Sequence, residues 1–326
     1  MEFAADPLSA IKAYSDNPSA FLALNSRTEY FTAPEVEGLI AYRERGHVLV
    51  QFGGPFAPPE HGGRLLQRFL EAAAARRRRV VAVQLQRADA ELYARHGFTV
   101  NQLGASYAVD LARFTLRGSP FVKLRNKISR ALRSGLVVEE ADAESRRDDL
   151  AAIDREWLRG KGRHTKELQF LVGELAGDYQ PHRRLFLGSI GGTPVGYISY
   201  SPVYGTRPGW LHDLSRRRSH EPPGVMEAIN KAAIDAFGAE GAGWLHFGFT
   251  PFTALSAEHE LPAASPAVAR IIRGLATHGR LVYPAASQLA YKEKWAPHAV
   301  LGEYVAFHGR PRLGPIWQLL RISNAI

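Results

Sequence analysis

The sequence predicts an α/β protein of mixed sheets, arranged as two like halves joined by a basic helix. Three observations carry this. Apolar runs of strand length alternate with segments whose apolar residues recur at spacings of three and four. The second half repeats the order of elements seen in the first. Between them, residues 123–133 hold Lys123, Arg125, Lys127, Arg130 and Arg133 and no acid. The expected division is 1–118, 119–136 and 137–326.

In the first half, residues 38–43 and 47–52 read as strands, the second closed by Gly53, Gly54 and Pro55. Residues 64–75 place Leu65, Leu66, Phe69, Leu70 and Ala73 at helical spacing. Arg76 to Arg79 follow, either as a nucleic-acid patch or as cations at a helix C-terminus, where the dipole favours them. Residues 80–85 form a buried-type strand and 88–96 a short helix stopped by Gly97. Residues 98–102 and 106–111 read as two further strands.

The connecting helix sets Leu124, Ile128, Ala131 and Leu132 on a narrow apolar stripe, with the cations around it and Gly135 placed to end it. Such a face suits phosphates, or is simply solvated. In the second half, residues 148–158 read as an amphipathic helix. Residues 184–190 and 194–200 read as a hairpin turned by Gly191-Gly192. Then come a strand at 210–214, a helix at 225–237, a strand at 244–249, and a last helix-strand region holding 291–297 and 303–308. Residues 315–322 read as a short amphipathic segment that docks on the core or touches a membrane surface.

Composition narrows the class. Hydrophobic residues make up 45% of the chain, which suits a packed core, and no stretch approaches the roughly 18 apolar residues of a membrane span. With no cysteine, disulfides, thiolate metal sites and cysteine nucleophiles are excluded, and a cytoplasmic location is expected. A net charge of +9 suits a polyanionic partner such as RNA or an anionic lipid surface, or is solvated excess arginine. The twelve histidines show no zinc-type pair, so no metal is expected. Gly160 to Arg163 lack the phosphate-loop spacing, and no nucleophile elbow occurs.

The most informative stretch is Leu211 to Met226. Asp213 stands three residues before Arg216, Arg217 and Arg218; Pro222, Pro223 and Gly224 then lead into the helix. A strand end, a cationic turn and a helix start make an anion site, and an acid beside it is a candidate general base or one half of a surface ion pair. Residues three apart on a strand point to opposite faces, so Asp213 and Arg216 share a site only if the chain turns after about Leu214. By the same rule His212 points away from Asp213.

Element order and the run Leu92-Tyr93-Ala94-Arg95-His96-Gly97-Phe98 resemble the GCN5-related N-acyltransferase superfamily. Nearly the whole chain resembles the soluble catalytic region of the aminoacyl-phosphatidylglycerol synthases, which carries two such folds in tandem. The resemblance rests on Phe121 to Lys127 with Arg130 and Gly135, on Glu156-Trp157-Leu158, on Val195 to Ile198 and on Phe247 to Pro251. Its most specific parts are Asp213-Leu214-Ser215-Arg216-Arg217 with Pro223 to Met226, and Tyr291-Lys292-Glu293-Lys294-Trp295-Ala296-Pro297. Departures occur at Gly104 to Ser106 and at Ala286 to Leu289, where relatives often carry acids.

That resemblance implies an aminoacyltransferase that uses aminoacyl-tRNA as donor and needs no cofactor. Asp213 and Arg216 match the essential acid and arginine. Arg217, Lys292 and Lys294 would bind substrate, and Lys123, Arg125, Lys127 and Arg130 would meet the tRNA. The acceptor is a phosphatidylglycerol-type lipid or, as in soluble relatives, a small amine or hydroxyl compound, and the place is the cytoplasm or the inner membrane surface. Two other readings stay open: an acyl-CoA-dependent N-acyltransferase, whose Gly-rich pyrophosphate loop does not fit residues 216–224, and a non-catalytic RNA- or membrane-binding protein on the same fold.

Overall fold

The computed structural model describes residues 6–161, 171–219, 221–278 and 285–311. The expected segment at 315–322, His220, and Gly162 and Arg163 lie outside them. Helix α1 (Pro7–Tyr14) and a 3-10 turn (Ala20–Leu24) precede the meander β1 (Glu29–Ala33), β2 (Val36–Arg45) and β3 (Val48–Phe52). Helix α2 (Pro59–Ala75) crosses to β4 (Arg79–Leu85), parallel to β3. Helix α3 (Arg87–Arg95) leads to the long β5 (Phe98–Asp110).

After α4 (Val122–Arg133), β6 (Leu136–Ala141) and α5 (Arg147–Lys161), the same order returns. A meander of β7 (Arg184–Ile190), β8 (Thr193–Val203) and β9 (Gly209–Arg217) is followed by the crossover helix α6 (Val225–Ala239) and by β10 (Trp244–Pro251), parallel to β9. Helices α7 (Pro266–His278) and α8 (Ala285–Glu293) lead to the long β11 (Ala299–His308). The tandem α/β architecture expected from the sequence is thus present as two copies of one element order.

The two copies share one eleven-stranded sheet, in the order β1-β2-β3-β4-β11-β5-β10-β9-β8-β7-β6. Each copy's last strand sits in the other copy. β11 lies between β4 and β5, and β5 borders β10. The cores follow this weave: Tyr304 and Ala306 of β11 pack with Leu65, Phe69 and Tyr93 from α2 and α3. On the other side, Tyr107 and Val109 of β5 pack with Ile229, Phe237 and Trp295.

Local chemistry explains most elements. Pro59 opens α2, where its missing N–H costs nothing, and Leu65, Leu66, Phe69 and Ala73 form the buried face. Gly191 and Gly192, with φ of 57° and 78°, make the hairpin turn between β7 and β8. Arg76 and Arg78 after α2 both pair with Glu44 of β2. Two expectations need correction. The strands expected at 98–102 and 106–111 are one, because Gly104 keeps the strand running where β10 comes closest. A Cβ there would lie 2.2 Å from the carbonyl oxygen of Thr250. The strand expected at 210–214 continues to Arg217, since β8 supplies partners as far as Gly196.

Gly104→Ala should therefore force β5 and β10 apart. The expected loss is about 1–3 kcal/mol, read as a lower urea midpoint with the slope unchanged.

Candidate active site

Strands β9 and β10 are hydrogen-bonded only from Gly209 to Leu211, opposite Trp244 to His246. Beyond that point they part, and a cavity of about 710 Å³ opens between their C-terminal ends and the start of α6. The ends of parallel strands beside a helix N-terminus are where α/β folds place ligands. Asp213, Arg216, Arg217, Lys292 and Lys127 all line this cavity. Lys294, Lys123, Arg125 and Arg130 do not.

A bulge, not a turn, lets Asp213 and Arg216 share a face. Leu214 stands opposite Ser199 and His212 opposite Tyr200, so Asp213 is the extra, unpaired residue in β9. One inserted residue inverts the alternation. Leu214 and Arg216 then lie on the Ser199 face, to which the Asp213 carboxylate also turns, while His212 stays with Tyr200 on the other. The turn expected after Leu214 is absent, and the separation of His212 from Asp213 is as expected.

The Asp213 side chain is wholly out of solvent. Its Oδ2 accepts from Nε of Arg183 at 3.3 Å, and Arg183 is 1% exposed. Burial pushes the carboxyl upward, and the Arg183 charge with the nearby Ser201 and Ser199 hydroxyls pulls it back. Arg183 also donates to Oδ1 of Asn25 at 2.7 Å and stacks over Phe21, both from the first half. Gly173 lies over Asp213 and donates its N–H to the Asp213 carbonyl at 3.0 Å; a Cβ there would meet the carboxylate. Arg216 lies 4.0 Å above the Trp157 ring and 4.0 Å from Asp154 of α5.

The lysines divide. Lys292 is buried, its Nζ donating to the carbonyls of Gly248 at 2.7 Å and Phe249 at 3.1 Å. Burial lowers it to about 7, opposed by the charge of Glu303. Lys294 instead donates to Glu227 at 2.8 Å, and Lys127 lies 3.6 Å from the same carboxylate. Burial pushes Glu227 up, but the Lys294 hydrogen bond and charge outweigh it and hold the carboxyl low. The first turn of α6 therefore meets its own chain's acid, which the dipole favours. Gly224, with φ of 103°, lets that turn press on α4; a Cβ would lie 2.0 Å from the Lys127 carbonyl. Arg125 donates to the carbonyls of Leu116 and Gly118, securing the loop before α4. Lys123 and Arg130 stand exposed on α4.

Neutral His212 completes the lining, lowered to about 3 by burial and by Lys292. Among the described residues no cluster of three metal-ligating side chains occurs. Sequence reasoning missed Arg183, Asn25 and Gln84, since nothing local marks a lone polar residue as buried.

Glu303 on β11 offers a pH test. Burial raises it to about 8 from an ordinary 4.5. A carboxyl raised in the folded state stabilises fully below its unfolded pKa, and that stability is lost as pH rises through the folded one. Glu303→Gln should therefore gain on the wild type between about pH 4.5 and 8, with urea midpoints across that range as the measurement.

Residues 9–307 match the model of the family described as "Phosphatidylglycerol lysyltransferase, C-terminal". The chain is 26% identical over 289 residues to phosphatidylglycerol lysyltransferase of Bacillus subtilis, covering 87% of this chain and 32% of that one. It thus spans about a third of that relative's length. Two solved structures share the fold, each with a TM-score of 0.79. The C-terminal domain of a candidate lysylphosphatidylglycerol synthetase from Agrobacterium fabrum is 21% identical, with 98% of this chain and 96% of that one covered. The structure of L-PGS from Bacillus licheniformis is 24% identical, with 97% and 95% covered.

Proposed function

The chain belongs to the phosphatidylglycerol lysyltransferase C-terminal family, and from that premise we propose that it moves an aminoacyl group from aminoacyl-tRNA to a phosphatidylglycerol-type lipid. The observation that carries this is the bulge of β9, which turns a buried carboxylate and an arginine to one wall of one cavity.

The aminoacyl ester is already activated, so positioning and proton removal are the tasks left to the protein. The acceptor hydroxyl attacks the ester carbonyl and passes its proton to Asp213. The carbon–oxygen bond to the terminal ribose then breaks, and the ribose oxygen takes a proton as it leaves. Burial supports a base role for Asp213 by favouring its protonated form, while Arg183 keeps the ionised form accessible. Arg216 and Arg217 offer planar donors to phosphate. Lys292 fixes the separated end of β10 through two carbonyls, which holds the cavity open. Lys123 and Arg130 stand where a tRNA backbone would meet α4, and Lys127 sits between that helix and the cavity. The α6 N-terminus, occupied by Glu227 with Lys294, speaks against a pyrophosphate there and so against an acyl-CoA donor.

Purified protein with radiolabelled aminoacyl-tRNA and phosphatidylglycerol vesicles should yield labelled lipid. Asp213→Asn should lower kcat by about 10²–10⁴-fold. Arg216→Lys, which keeps the charge and loses the fork, should raise KM for the phosphate-bearing substrate. Label appearing only on added small amines would replace the lipid as acceptor. An Asp213→Asn variant as fast as wild type would remove Asp213 from the chemistry.

A further inference from the structure

The cavity has a second wall that the reaction above does not use. Ser19, Leu22 and Gln84 come from the first half and are uncharged. Gln84 is unusual in three independent ways. It is 3% exposed in the middle of a sheet, yet its backbone is left-handed, with φ of 52°. A non-glycine residue in that region is strained, and such strain is kept where the surroundings over-determine it. Next, the ladder between β4 and β11 shifts by one residue beside it, between Leu85 opposite Tyr304 and Ala82 opposite Ala306. Last, its side-chain oxygen has no hydrogen-bond partner among the described residues, and neither does the hydroxyl of Ser19, which is fully buried.

Asn17 ties these two residues together. Its Nδ2 donates to the Gln84 carbonyl at 2.6 Å, and its Oδ1 accepts from the Ser19 N–H at 2.8 Å. Two buried polar side chains without partners, held side by side on a cavity wall, form a built and empty polar subsite. Asp213 on the opposite strand system presents the same combination, a bulged residue with one unpartnered oxygen.

Charge decides what the subsite accepts. The cavity lining carries four cations, Lys127, Arg216, Arg217 and Lys292, against three acids. Two of those acids are engaged, Asp213 by Arg183 and Glu227 by Lys294 and Lys127. The third, Glu221, is partly exposed beside Pro222. A desolvated ammonium side chain needs a carboxylate partner, and the Ser19–Gln84 wall offers none.

We propose that Ser19 and Gln84 form the subsite for the side chain of the transferred aminoacyl group, and that this group is small and uncharged rather than cationic. This rests on the aminoacyl-transfer reading but is read without turnover. The probes are adenosines carrying alanine, serine, lysine or arginine through a non-hydrolysable 3′-amide, titrated against the full chain by calorimetry. The alanyl and seryl probes should bind about tenfold tighter than the lysyl and arginyl ones, or better. Gln84→Glu places a carboxylate in the wall and should shift the lysyl-to-alanyl ratio toward lysyl by about tenfold or more. Should that variant fail to melt cooperatively, Ser19→Asp carries the same expectation. Equal or tighter lysyl binding by the wild type, no binding of any probe, or an unchanged ratio in a folded variant overturns the assignment. Probe binding with the expected order but no transfer to lipid would instead sink the reaction proposed above and leave the subsite standing.

Discussion

Asp213 holds a carboxylate where water does not reach, and Arg183 is what makes that tolerable. Both side chains are essentially unexposed, and an unpaired charge at such depth is strongly destabilising. Much of the site follows from satisfying this pair. Arg183 reaches Asn25 and Phe21, so the short turn of the first half is pinned against the second. Gly173 must remain without a side chain to lie over the acid. The bulge in β9 sends the carboxylate toward Ser199 and Ser201 and leaves Arg216 on that same face, packed on Trp157.

The exchanged strands serve the same end at a larger scale. Because β5 and β11 cross over, the cavity is walled by both halves, and its polar groups come from elements far apart in sequence. Lys292 and Glu303 illustrate the cost. Burial lowers one and raises the other, and each feels the opposite charge of its neighbour across the region where the strands cross. Ser106 of β5 donates to Glu303 of β11, so the woven strands are joined by a buried side-chain bond as well as by their ladder.

Much of this was legible in the chain. Helical and strand periodicities, the Gly191-Gly192 turn and the repeated element order suffice for the tandem α/β class, because each is a local signal. The relation of Asp213 to Arg216 was legible only as a contradiction: alternation puts them on opposite faces, while their chemistry asks for one. A bulge resolves it, and a bulge leaves no mark in a hydrophobic pattern. Residues such as Arg183, Asn25 and Gln84 matter through burial against segments distant in sequence, which no window along the chain contains. The long β5 was divided in two for the opposite reason. Gly104 looks like a breaker locally and is instead the place where another backbone passes close.

The weave also bears on how the molecule is made. Strands β4 and β5 leave the ribosome early, yet the strand that separates and pairs them, β11, is the last described element. Until it arrives, both present unpaired edges, and pairing with each other is the nearest wrong solution. Neither half can close its sheet during synthesis, so folding of the whole is held back to the end of translation. A fold of this kind trades early, piecewise assembly for a single late step that locks two halves at once.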